Sequence, residues 1–276
     1  MNIGCHISIA GGIIHAPERA ADLGCEIMQI FTRSPRGGKA PELTNSLCEE
    51  FKILNLKFKI KEVYIHTPYY INFASLENRI RYASVSVVRD ELERGSLIGA
   101  KYAMTHLGSA KDMTHDQSIQ KVIKMLKKTL ENYSGKTKLL LENSAGAGEI
   151  IGSSLKDLKT IIDGVNNKSI AGICLDTQHS FASGYDWQDF KKTMARIEKE
   201  LGLKNIKLIH ANDSLTDFDS KRDRHEHIGA GKIGKTAFQN IVTFAQKNNI
   251  DMILETEHNK VMEDIKLLKS FRKINK

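Results

Sequence analysis

Residues 138–144 read Lys138-Leu139-Leu140-Leu141-Glu142-Asn143-Ser144, a short apolar run that stops at a carboxylate. A run of that length, enriched in Leu and ending in polar residues, reads as a buried strand. Upstream, residues 116–133 carry apolar side chains at three- and four-residue spacing with charges between them, the signature of an amphipathic helix. Before that helix, Lys101-Tyr102-Ala103-Met104-Thr105-His106 is another short strand-like run, and it stops at an imidazole. Strand, helix and strand thus make one unit whose strands end in reactive side chains.

The same beat fills the chain. Strand candidates lie at residues 2–8, 26–31, 62–67, 101–106, 138–142, 169–176, 206–211 and 251–255. Seven helical segments lie between them, residues 76–99 among them, and an eighth runs over residues 261–271. Eight strand–helix units without a linker predict an α/β fold of the (β/α)8 type, a TIM barrel forming a single domain over residues 1–276. The alternative, an open doubly wound sheet, calls for a Gly-rich phosphate turn after the first strand, and Gly11-Gly12 is too thin for one.

Composition narrows the classes. Of the 276 residues 41% are hydrophobic and 27% charged, enough for both a core and a solvated surface. No stretch approaches the roughly 18 apolar residues of a spanning helix, and the N-terminus lacks a basic-then-apolar leader. A cytoplasmic, intracellular protein is expected, nucleoid-associated if bacterial, with no membrane partner, no organic cofactor and a monomeric state. The four cysteines, Cys5, Cys25, Cys48 and Cys174, form no CxxC pair, which argues against a disulfide scaffold and a thiolate metal site. The net charge of +8 favours polyanionic partners. The Lys-rich end from Lys260 to Lys276 reads as the wet face of a last helix.

Barrel enzymes put their chemistry where strands give way to βα loops. Strands three to eight end, in order, at His66, His106, Glu142, Asp176, His210 and Glu255, and His179 follows Asp176 by three residues. A lone His or Glu at a strand end is usually a residue facing water. Six in succession, in a chain with 10 histidines, are poorly explained that way. Imidazole and carboxylate without thiolate suit zinc or manganese at a catalytic site. A catalytic zinc needs about three protein ligands, so the set exceeds one ion.

Between Asn212 and Lys235 runs a connection of about twenty residues, longer than a typical loop. It contains Asp223-Arg224-His225-Glu226-His227-Ile228-Gly229-Ala230-Gly231. In an extended segment Asp223 and His225 point the same way, and with His179 they could form a separate three-ligand site. The alternative is an acidic–basic surface loop.

At these residues the chain resembles the endonuclease IV family of apurinic/apyrimidinic endonucleases over nearly its whole length. The segments that carry the resemblance are Gly4-Cys5-His6-Ile7-Ser8-Ile9-Ala10-Gly11-Gly12, Leu141-Glu142-Asn143-Ser144-Ala145-Gly146, Leu175-Asp176-Thr177-Gln178-His179 through Asp186, and Asp223 through Gly231. The resemblance implies three zinc ions, with manganese able to substitute at one site, and nine ligands. His66, His106 and Glu142 take the first ion, and Glu142 bridges to the second. Asp176, His210 and Glu255 complete the second, and His179, Asp223 and His225 hold the third. Glu142 and Glu255 are the catalytic carboxylates of this set. His6 and His227 are expected nearby without being ligands.

The implied reaction is hydrolysis of the phosphodiester on the 5′ side of an abasic site in duplex DNA, leaving a 3′-hydroxyl. Arg36 and Tyr69 are the implied DNA-inserting residues. Two departures from the family pattern bear on substrate preference. Gly37-Gly38 stand where many relatives carry an aromatic residue, and Glu257-His258-Asn259 follow the last strand where proline is common. The alternatives are a metal-dependent sugar isomerase or epimerase of the same barrel superfamily and a DNA-lesion binding protein without turnover. The first does not need the third site of His179, Asp223 and His225, and a non-catalytic binder has no need of open metal positions.

Overall fold

The computed structural model describes residues 1–111 and 113–274; Asp112, Asn275 and Lys276 of the expected domain and Lys-rich end lie outside the described residues. In chain order the elements are β1 (Ile3–Ile7), α1 (Ala16–Asp22), β2 (Ile27–Ile30), α2 (Asn45–Lys57), β3 (Val63–His66), α3 (Asn78–Ile98) and β4 (Tyr102–Thr105). Next come α4 (His115–Thr129), β5 (Lys138–Glu142), α5 (Leu155–Val165), β6 (Ile170–Asp176), α6 (Thr177–Ala182), α7 (Phe190–Glu200) and β7 (Ile206–His210). The chain continues with β8 (Asp213–Ser214), β9 (His225–Glu226), α8 (Lys235–Lys247), β10 (Asp251–Leu254) and α9 (Val261–Ile274).

Eight parallel strands close in the order β1-β10-β7-β6-β5-β4-β3-β2. Closure excludes the open sheet, and all eight expected strands are present. Three details differ from the sequence reading. β4 stops at Thr105 and β10 at Leu254, so His106 and Glu255 stand one residue beyond pairing, where the chain leaves the barrel. Two helices, α6 and α7, occupy the interval between β6 and β7. The long connection after β7 is partly ordered by an antiparallel pairing of β8 with β9. No described helix is long and apolar enough to cross a membrane.

Why the barrel presents polar residues at one end follows from strand alternation, since side chains two apart share a face. One buried layer inside the barrel comprises Ile27, Tyr64, Met104, Leu140, Cys174, Leu208 and Ile253. Two residues further along each of those strands stand Gln29, His66, His106, Glu142, Asp176, His210 and Glu255. An apolar floor therefore lies directly beneath a polar layer at the carboxyl ends. Gly4, the corresponding position of β1, admits no side chain, because a Cβ there would fall 1.8 Å from the Ile27 carbonyl oxygen.

The larger apolar cluster fills the space between strands and helices, from Ile3 and Phe51 round to Phe238 and Leu268. The seam where the chain ends meet is tied by charge. Arg272 on α9 donates to both Glu26 oxygens at 2.7 and 2.9 Å, and Glu26 also accepts the Ile3 N–H.

Candidate metal centre

Among the described residues four overlapping groups bring their donor atoms within 4.8 Å of one another; three are built from imidazoles and carboxylates alone, and the fourth adds the Cys174 thiol to Glu142 and His210. Of the three, the first is His66, His106 and Glu142, the second Glu142, Asp176, His210 and Glu255, and the third Asp176, His179 and His225. Glu142 links the first to the second and Asp176 the second to the third. Asp223 joins the third group, with its oxygens 3.3 Å from His179 Nε2 and 3.4 Å from His225 Nε2. The structure thus brings all nine expected donors together at one end of the barrel. Successive imidazoles, His66, His106, His179 and His225, stand 5.5 Å apart centre to centre.

Local structure explains how distant residues meet. Asp176 ends β6 and at the same time caps α6, its Oδ1 accepting the His179 N–H at 2.7 Å. That cap fixes His179 in the first helical turn, directly above the strand end. His225 is carried in by β9, where it pairs with Ser214. The connection holding Asp223 and His225 is anchored by Asp213, a fully buried carboxylate that accepts the N–H groups of Gly229 (2.8 Å), Ile233 (2.9 Å) and Ser214 (2.8 Å). Gly231 passes so close that a Cβ would meet the Ser214 carbonyl at 2.5 Å.

Two imidazoles are oriented by backbone. His66 Nδ1 lies 2.6 Å from the Thr67 carbonyl and His179 Nδ1 3.0 Å from the Asn143 carbonyl. A carbonyl only accepts, so these Nδ1 atoms carry hydrogen and Nε2 is left to face the carboxylates. Two asparagines brace Asp176 from either side. Asn143 accepts its N–H at 2.7 Å and donates to its carbonyl, while Asn212 Nδ2 donates to its carboxylate at 2.7 Å. Reading strand ends for acids and imidazoles passed over Asn143, Asn212 and Asp213. The available signal was position, since each follows a donor by one to three residues.

The charges are strongly interdependent. Burial alone would raise the pKa of Glu142, but His210 and His106, with the other imidazoles, hold it well below the carboxylate range. Burial likewise opposes ionisation of Glu255, and His210 brings it down to about 2. His179 is desolvated, yet Asp176, Asp223 and Glu142 push it up to about 10. His106 and His6, by contrast, are lowered chiefly by burial, His6 to about 3. A site that pulls Glu142, Asp223 and Glu255 down and His66, His179 and His210 up is one that attracts cations.

Two observations match divalent ions to these residues. Glu142 Oε2 and His225 Nε2 are buried atoms inside the groups with no aligned hydrogen-bond partner, although Glu142 Oε2 lies 3.2 Å from His66 Nε2. Buried polar atoms rarely go unpaired, and a cation would satisfy both. The nine donors are also nitrogen and oxygen only, and burial pushes the neighbouring Cys174 thiol up to about 12, which keeps it protonated and a poor ligand. His/Asp/Glu sets of this kind suit zinc or manganese.

Six of the nine donors, His66, His106, His179, Asp223, His225 and Glu255, line a cleft of about 560 Å³ with Tyr69, Ser144 and His258 on its walls, and Glu142, Asp176 and His210 lie fully buried behind them. Tyr69 is 69% exposed and stands edge-on to Phe31 at 5.3 Å. Arg36 is exposed on the loop after β2 and does not line the cleft. His6 packs on Phe31 at 4.4 Å, and His258 Nε2 donates to the His6 carbonyl. His227 is held by Asp264 and Asn259 and belongs to none of the donor groups.

Known proteins with the same build were found at both levels. A family model described as xylose isomerase-like TIM barrel matches residues 17–271. A protein named probable endonuclease 4, from Cenarchaeum symbiosum, is 35% identical, covering 99% of this chain and 99% of that one. The crystal structure of endonuclease IV from Thermus thermophilus superposes with a TM-score of 0.88 at 28% identity, covering 99% of this chain and 100% of that one. A D-tagatose 3-epimerase-like protein, at 18% identity, TM-score 0.77 and coverage of 100% and 98%, shares the fold.

Proposed function

The chain belongs to the endonuclease IV family within the xylose isomerase-like TIM barrels, and from that premise we propose that it hydrolyses duplex DNA on the 5′ side of abasic sites, leaving a 3′-hydroxyl. The single observation that carries this reading is the convergence of nine His, Asp and Glu donors into three linked groups at one end of the barrel. His66, His106 and Glu142 would hold one zinc ion, Glu142, Asp176, His210 and Glu255 a second, and His179, Asp223 and His225 a third, with manganese able to replace one of them.

Bound there, such ions supply Lewis-acid stabilisation of phosphoryl and leaving-group oxygens and a water nucleophile at neutral pH. The chain's own residues perform the rest. Glu142 faces two groups at once and fixes their separation. Asn143 and Asn212 hold Asp176 in the corresponding place between the second and third groups. Tyr69 offers an exposed ring beside the cleft for stacking on a base next to the lesion, and Arg36 offers a guanidinium on the adjoining loop. An abasic step has lost stacking, so opening it there costs least.

A sugar isomerase would use the barrel and one or two of the groups, but it leaves Asp223 and His225, and the loop ordered by Asp213 to carry them, without a task. A duplex carrying one tetrahydrofuran residue as abasic analogue separates the readings. Cleavage at its 5′ side, with a product bearing a 3′-hydroxyl and loss of activity in a strong chelator, is expected. No cleavage of that duplex in the presence of zinc would refute the proposal.

A further inference from the structure

Gln29 stands on β2 in the same interior layer as the donors, fully buried, and is neither an acid nor an imidazole. Every polar atom of its amide is engaged. Oε1 lies 2.7 Å from His210 Nε2, while Nε2 lies 2.7 Å from Glu255 Oε1 and 3.0 Å from His6 Nδ1. The ionised carboxylate of Glu255 only accepts, so it takes an amide N–H, and Oε1 is left to accept from His210. His210 Nε2 therefore keeps its hydrogen on Gln29, and Nδ1 faces Glu142 Oε1 at 2.7 Å and Glu255 Oε2 at 3.2 Å.

His210 differs in this from His66 and His179, whose remote nitrogens are held by backbone carbonyls that no substitution removes. Its orientation depends on one side chain from β2, three places from β7 round the closed barrel. The same amide also pins one oxygen of Glu255, which has just left the end of β10 and lacks strand pairing of its own. A hydrogen-bonded amide buried among charged groups is costly unless it is fully satisfied, and here it is.

We propose that Gln29 is a positioning residue for the second donor group, fixing the ring of His210 and the carboxylate of Glu255 so that a divalent ion is held tightly between them. This inference rests on the metal-dependent reading above. Residues that orient ligands in this way commonly change metal affinity by about 10–100-fold when replaced.

The test titrates Co2+ into metal-free parent and Gln29→Met proteins, following visible absorption and competition with a chelator, alongside thermal melting of the metal-free forms. Met keeps the length of the side chain and removes all three hydrogen bonds. Weakening of one bound equivalent by about 10–100-fold, with a changed cobalt spectrum and a metal-free melting temperature near the parent's, supports the proposal. On the tetrahydrofuran duplex kcat is expected to fall while KM stays within about twofold. Should Gln29→Met fail to fold, Gln29→Glu, which keeps the volume and the acceptor for His210 but opposes Glu255, is read in the same titration and is expected to weaken the same equivalent. Parent-like affinity and spectrum in a folded variant overturn the proposal. So does loss of all equivalents in step with a fall in metal-free stability, which would make Gln29 a packing residue. Failure of the parent itself to bind Co2+ would instead overturn the metal-dependent reading.

Discussion

Glu142 Oε1 lies 2.7 Å from His210 Nδ1, while its Oε2 faces His66 Nε2 at 3.2 Å. One fully buried carboxylate on β5 therefore spans two donor groups. Substituting it by Gln keeps the shape and removes the charge that both groups share.

For Glu142→Gln we expect single-turnover cleavage of an abasic duplex to fall by at least about a hundredfold, more than replacing a residue that merely orients a ligand. Affinity for the same duplex should stay within a few-fold of the parent. Equal losses in rate and affinity would make Glu142 a structural residue.

The third group hangs on a segment outside the barrel strands, and that separates its loss from unfolding. His225→Ala should deplete one ion and slow cleavage while leaving the melting temperature of the metal-free protein within a few degrees. Asp213→Ala removes the acceptor that holds Ser214, Gly229 and Ile233, and should loosen the same ion without touching a donor. Metal analysis after gel filtration reads both. An insoluble His225→Ala protein would show that this loop supports the barrel.

Recognition should divide between stacking and phosphate contact. Tyr69→Ala removes an exposed ring at the cleft wall, and base stacking is worth about 1–3 kcal/mol, so affinity for abasic duplex should fall by about one to two orders of magnitude. Intact duplex, held mainly through phosphates, should lose little. Arg36→Ala would weaken both duplexes alike and reduce the salt dependence if its role is phosphate contact alone. Titrations at two salt concentrations distinguish these outcomes, and uniform loss in Tyr69→Ala would contradict insertion.

Stability offers a test remote from the cleft. Burial disfavours the Glu26 carboxylate, but the Arg272 guanidinium and the Ile3 N–H outweigh it and lower its pKa. A lowered carboxylate pKa contributes stability above the unfolded-state value and loses it as pH falls through the folded-state value. Glu26→Gln should therefore cost roughly 1–2 kcal/mol at neutral pH. The difference should shrink as pH falls from neutral into acid through the lowered folded-state pKa, where the parent's carboxylate is itself being protonated. Urea unfolding at neutral and at acid pH checks this, and a cost that persists unchanged in acid would contradict the ion-pair account.

Much of the barrel was legible because each strand is short and apolar and each helix has its own period. Residues 138–142 and Lys138–Glu142 of the structure coincide. The exact ends were not legible: His106 and Glu255 stand one residue beyond the last paired positions, and where pairing stops is set by the closed sheet rather than by local sequence. The donor layer could be read from strand ends alone, since alternation forces residues two beyond the apolar floor to face inward. What escaped were the amides and the buried acid, Gln29, Asn143, Asn212 and Asp213, whose partners lie on other strands and loops. Their residue types are common everywhere, so only the hydrogen bonds of the folded chain mark them.

The central claim is that nine donors hold three ions, and metal content tests it most directly. Purified protein, equilibrated with zinc and passed through a desalting column, should retain close to three zinc ions per chain by elemental mass spectrometry, with cleavage of abasic duplex lost on chelation and restored on zinc return. Retention of a single ion, together with full activity in magnesium alone, would contradict the account.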